Sequence, residues 1–213
     1  MNHNRFREAI PLLEDIVHQD PTNPLLYQHL GLCFQQLGRY LKTVQLYQEA
    51  IRNRADTDQT HAELGEIYGR LGDRARAIES MEQAAKMNRR DLQNLNNLAA
   101  VYLELGRFDD TERVLRAILV QNDRHSAATN LFGILEIQRG HEDLARDYFE
   151  KAIRYNPELA QAYMNLGILA EEAGQKQLAI NYYRKFLQKA EPKEHRQIIP
   201  KVKAAIAKLE AKS

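Results

Sequence analysis

The chain has 213 residues, 44% hydrophobic and 28% charged, which supplies a core and carries none of the bias that marks disorder. A formal net charge of +1 gives no whole-molecule field for nucleic acid or an anionic membrane, and no apolar run approaches the ~20 residues that span a bilayer. The one cysteine, Cys33, cannot form an internal disulfide, so an oxidising compartment is not required.

The composition fits a cytoplasmic protein. Residues 1–20 mix Asp, Glu, Arg and Pro with no apolar core segment and do not read as a signal peptide. A periplasmic protein without disulfides would look the same if its signal had been removed.

Taken in chain order, residues 1–23 read as one helix, with Phe6, Ala9, Leu13 and Ile16 on its apolar side and Pro21 beyond it. From Pro24 the chain divides without a gap into five units, 24–57, 58–91, 92–125, 126–159 and 160–193. Each unit carries two helical patterns joined by a short turn, for example residues 59–71 and 74–87. Gly38, Gly72, Gly106, Gly140 and Gly174 recur every 34 residues in that turn, where glycine can take positive φ and end the first helix. Gly31, Gly65, Ala99, Gly133 and Gly167 recur seven residues earlier, inside the first helix. Glycine there costs up to ~1 kcal/mol relative to alanine, so its recurrence predicts two helix backbones in close approach.

Large and small places alternate to match. The seventh place holds Leu30, Leu64, Leu98, Phe132 and Leu166, and the twenty-fourth Tyr47, Met81, Leu115, Phe149 and Tyr183. The twentieth holds only the small Thr43, Ala77, Thr111, Ala145 and Ala179. Such a set describes knobs and holes between stacked helices. After the fifth unit, Glu194–Ser213 reads as a capping helix. Ile198, Ile199, Val202, Ala205, Ile206 and Leu209 lie on one side, and Arg196, Lys201, Lys203, Lys208 and Lys212 on the rest. Pro200 marks its start or a bend.

This pattern resembles the tetratricopeptide-repeat family, whose unit is a 34-residue helix-turn-helix. The aromatic fourth place is kept at Tyr27 and Tyr163 but holds His61, Leu95 and Thr129 in the other units, and the closing proline stands only at Pro21 and Pro157. The resemblance implies an all-α, right-handed α-solenoid of antiparallel helix pairs, about twelve helices in all. It also implies a concave wall lined by the first helices, whose second, fifth, sixth, ninth, twelfth and thirteenth places face a ligand.

On that wall the resemblance places Gln93, Asn96, Asn97, Asn130, Gln161 and Asn165, an amide set similar to the asparagine-lined groove of O-linked N-acetylglucosamine transferases. Asparagine is a poor helix-interior residue, and a side-chain amide can pair with a peptide group of any sequence. Leu131, Ile134, Ile137, Met164 and Ile168 fall on the same wall and predict apolar anchoring in the fourth and fifth units. Toward the first two units the wall turns polar, with Gln35, Gln36, Glu63, Glu66 and Arg70. The lysines, asparagine and arginine with which chaperone-tail-binding members of the family grip a C-terminal carboxylate are missing, which argues against that partner.

The chemistry-bearing residues point to no reaction. The seven histidines fall in no metal-ligand spacing, and no phosphate-cradling loop is present. Cys33 reads as a core thiol, and the adjacent carboxylates Asp109–Asp110 and Glu171–Glu172 point about 100° apart on a helix. The expectation is a non-catalytic scaffold or adaptor with no cofactor and no metal, binding a peptide or helical segment of a protein partner. Two alternatives stand beside it, a recognition domain of a larger enzyme or multi-domain protein and a self-assembling module that forms homo-oligomers through its N-terminal end.

Overall fold

The structure, a computed structural model, describes residues 3–193 and 195–211. Among these residues the chain forms twelve α-helices and no strand. They are α1 (His3–Gln19), α2 (Pro24–Gln36), α3 (Tyr40–Arg52), α4 (Asp58–Arg70), α5 (Arg74–Met87) and α6 (Leu92–Glu104). There follow α7 (Phe108–Gln121), α8 (Ser126–Gln138), α9 (Glu142–Tyr155), α10 (Ala160–Glu172), α11 (Lys176–Lys189) and α12 (Ile199–Glu210). They gather into two compact units, residues 1–98 and 99–213, divided within α6.

In the first unit α2 pairs with α3 and α4 with α5, while α1 packs on α2. Local chemistry sets the ends. Asn23 accepts the Leu25 N–H and Pro24 opens α2, whereas Thr57 and Thr60 exchange bonds in a capping box at α4. The turn after α2 closes on Gly38 at φ 68°, a conformation that would strain a side chain. Gly72, Gly106, Gly140 and Gly174 repeat it with φ between 71° and 80°, as the turn pattern predicts. The core runs through Tyr27, Leu30, Phe34, Val44, Tyr47, Leu64 and Ile67, all buried. Each such side chain contributes ~1.5–3 kcal/mol by leaving water.

In the second unit α8 pairs with α9 and α10 with α11, and α12 packs on α11. Phe149 and Tyr183 stand where a Cβ on Gly133 or Gly167 would be, and Tyr47 does the same at Gly31. The glycine inside the first helix is therefore the hole for the large twenty-fourth place, as the sequence predicts. α12 is shorter than the expected 194–213. It begins at Ile199 with Pro200 in its first turn, and residues 195–198 form turns instead. Proline fixes its own φ and lacks an N–H, so it fits the first turn of a helix and not its interior. Glu194, Lys212 and Ser213 lie outside the described residues.

Candidate functional site

The wall places of the first unit belong to α2, α4 and the opening of α6. Their polar side chains mostly bond one another. Gln28 donates to Thr57, the cap of α4, at 3.0 Å, and Gln35 donates to Glu63 of the next repeat at 2.6 Å. Gln59 reaches the second Glu63 oxygen at 2.9 Å, and the fully buried Tyr47 donates its hydroxyl to the same carboxylate. Burial, reinforced by that carboxylate, holds the Tyr47 phenol far above its ordinary range, so it stays a proton donor. This Glu63 hub escapes a reading by place because Tyr47 lies on a second helix. Its signal is a tyrosine, rather than a phenylalanine, above a glycine.

α6 differs from α4. Gln93 donates to Asn97 at 3.0 Å across one helical turn. That bond uses the Gln93 amide nitrogen and the Asn97 oxygen, leaving the Gln93 oxygen as an acceptor and the Asn97 nitrogen as a donor. Gln93 is exposed and Asn97 half-buried. Behind them, Asn94 Nδ2 and Asn96 Oδ1 are buried with no hydrogen-bond partner among the described residues, at a cost of ~1–3 kcal/mol each. Asn97 and Ala62 line one small cavity with Met81, Ala84 and Asn94. Ala62 offers Asn97 no polar group.

The first unit is also less polar on its wall than its sequence suggests. Leu25 and Leu32, at the second and ninth places of α2, are 59% and 48% exposed. Two turns apart on one helix, they sit on the same face.

In the second unit the expected wall residues divide. Asn130 is buried, 6% exposed, and accepts a 3.1 Å hydrogen bond from Asn165. That amide pair joins α8 to α10. Gln161 turns toward His195, its amide nitrogen 3.3 Å from Nε2, while Nδ1 lies 3.2 Å from the Glu191 carbonyl and the ring stands edge-on to Phe186. Ile134 and Ile137 pack, half-buried, against Phe149, Leu166 and Leu169, and Met164 against the core around Tyr183. Leu131 is half-buried as well, and only Ile168, at 40%, is an exposed large hydrophobe of the expected five.

Other polar groups are accounted for. Glu136, almost fully buried, accepts from Arg139 at 3.1 Å and meets His141 at 2.7 Å, and Arg139 also reaches Glu112 at 2.7 Å. The arginine pair around Glu112, Arg139 foremost and then Arg116, holds that carboxyl below the usual carboxylate range. Asp110 is bonded by Arg113 and Arg107, and Glu171 accepts from Tyr183 at 2.8 Å, so neither pair of adjacent carboxylates is free. Cys33 is buried, and burial pushes its thiol up, away from the reactive thiolate. Among the described residues no group of three or more His, Cys, Asp or Glu could hold a metal, and no helix is long and apolar enough to cross a membrane.

Known proteins resemble this chain in part of its sequence and in its fold. Over 82 residues, 38% of this chain, the sequence is 33% identical to the BBSome complex member BBS4 of Bos taurus, a match that takes in 16% of that relative's length. Among solved structures, PilF of Pseudomonas aeruginosa is 18% identical with a TM-score of 0.68, covering 89% of each chain. YrrB, "a TPR protein with an unusual peptide-binding site", is 17% identical with a TM-score of 0.65, covering 81% of this chain and 84% of its own. At such identities the likeness carries the fold alone. One tetratricopeptide-repeat pattern matches residues 1–58 and 130–194, and a second matches residues 70–131. With its helix pairs, its paired glycine ladders and these matches, the chain belongs to the tetratricopeptide-repeat family.

Proposed function

We propose that this protein binds a peptide segment of a protein partner without catalysing a reaction, and that it grips the peptide backbone at Gln93 and Asn97. The observation that carries this reading is the direction of the Gln93–Asn97 bond. It leaves one acceptor and one donor side by side, the complement of a peptide unit's N–H and C=O. The same two places in the fifth repeat, Gln161 and Asn165, bond His195 and Asn130 instead of each other, and therefore serve the fold. Leu25 and Leu32, in the same unit as Gln93 and Asn97, supply exposed apolar contacts for a ligand's side chains. Glu63 on the neighbouring α4 repels a C-terminal carboxylate, which disfavours chaperone tails. Peptide binding by YrrB, as its description states, is consistent with this use of the fold.

The test is a peptide-library selection against the full chain, followed by two double variants. Gln93→Ala/Asn97→Ala removes the α6 pair and is expected to weaken the selected peptides at least tenfold, equivalent to ~1.4 kcal/mol. Asn130→Leu/Asn165→Leu replaces the pair between α8 and α10 and is expected to leave affinity within twofold. Equal losses in both variants, or none in either, would sink the assignment to α6.

A further inference from the structure

In the five complete pairs the first helix covers the second. The twenty-seventh place records it, for Ala50, Ala84, Ile118, Ala152 and Phe186 are each 0% exposed. Helix α1 has the pattern of a second helix, with Ile16 at this place, yet Ile16 is 44% exposed. Leu12, one turn earlier, is 65% exposed, although its counterparts Leu46, Ser80 and Val114 are buried. The main packing partner of α1 is α2, and α3 lines a groove beside it, but neither covers Leu12 or Ile16. An apolar face that the repeat covers five times over is open here.

The repeat also specifies the shape of the missing neighbour. Tyr47, Met81, Phe149 and Tyr183 each occupy the space beside a glycine of their first helix. The corresponding residue of α1 is Leu13, so the helix that fits must run antiparallel and offer a small residue opposite it. α12 has these properties. It packs on α11 through Val202 and Leu209, and its opposite side carries the small, exposed Ala204 and Ala207. Lys201 and Lys208 flank those alanines, and Glu8 and Asp15 flank Leu12, with Arg5 two turns before it, all exposed, so two acidic groups stand to meet two basic ones. A solvated α12 would need no alanine row, and a solvated α1 no leucine and isoleucine.

We infer that α12 of one copy packs on α1 of a second copy, completing a helix pair of the kind the chain makes internally. The two surfaces differ, so the contact is heterologous, and each copy keeps one face of each kind for a further copy.

Sedimentation velocity of the full chain over a concentration series reads this directly. The wild type is expected to populate successive multiples of the monomer as concentration rises. Ile16→Glu spoils α1 and Ala204→Glu spoils α12, each at an exposed site, with circular dichroism checking that helix content is kept. Each variant alone should lose every species above monomer. Mixed in equal amounts, the intact α12 of the Ile16→Glu copy meets the intact α1 of the Ala204→Glu copy, giving a dimer and nothing larger. A wild type monomeric at all concentrations overturns the inference. So does an Ala204→Glu variant that still associates alone, which would mean that α1 pairs with itself, and so does a mixture that yields no dimer.

Discussion

His125 caps α8 with an imidazole where other helices of this chain use an amide, a hydroxyl or a carboxylate. Its Nδ1 accepts the Ala128 N–H at 3.1 Å, and burial holds the ring below the ordinary histidine range. Protonation would turn that acceptor into a donor facing an N–H. With the folded pKa below the unfolded one, the unfolded chain binds more protons in the interval, so the contribution is full above the ordinary histidine pKa. It is lost as pH falls through the folded value. His125→Asn keeps a capping acceptor that does not titrate. Urea midpoints measured down this pH window should fall for the wild type and stay flatter for the variant. At the same scale, two glycines in first helices give opposite answers. A Cβ at Gly69 meets nothing within 4 Å, whereas one at Gly133 strikes the Phe149 ring. Gly69→Ala should therefore stabilise by about 0.5–1 kcal/mol in urea denaturation, through helix propensity alone. Gly133→Ala should destabilise by about 1–3 kcal/mol because overpacking outweighs that gain.

Between elements, polar residues act as clamps where their partners allow it. The Asn165–Asn130 bond joins α10 to α8 with its acceptor buried. Asn165→Ala should cost about 1–3 kcal/mol, the penalty of a stranded buried oxygen, while the double change to leucine should cost less than that single one. A double-mutant cycle by urea denaturation checks the order. Arg139 does comparable work between α7 and α8, bonding Glu112 and Glu136. Since Glu112 titrates below its ordinary range, it stabilises the fold above its unfolded pKa, and that share disappears as pH falls through the folded value. In Arg139→Met the acid limb of the stability profile should become shallower at this step, alongside a general loss from Glu136, which keeps only His141 at short range.

At the scale of the whole molecule, neighbour-to-neighbour stacking makes stability close to a sum of repeat and interface terms. Substitutions at the second and sixth places of α6 should therefore change ligand affinity while leaving the thermal midpoint nearly unmoved, which scanning calorimetry of Gln93→Ala/Asn97→Ala would measure. Most of this scale was legible in the sequence. Two glycine ladders and three size-restricted places fix the register, because backbone approach and positive φ tolerate few alternatives. The wall was less legible. Asn97 and Asn165 share one place and one residue type, yet Asn97 bonds a residue of its own helix and Asn165 one of the preceding repeat. Their difference lies in the fifth place of the preceding repeat, Ala62 for one and Asn130 for the other, a pairing of places that a reading along single helices passes over. The exposed Leu25 and Leu32 were missed for a related reason, since a polar average over the first two repeats hid two leucines on one face.

The sequence by itself determined the helix pairs, their 34-residue register, the turn glycines and the large-over-small packing, since each depends on local conformation or on a pattern repeated five times. Tertiary structure alone decided which amides are spent, which expected anchors are core residues, and that α1 leaves Leu12 and Ile16 in water. The reason is physical: hydrogen-bond capacity and exposure belong to a side chain together with its neighbours, and those neighbours stand about one repeat away along the chain.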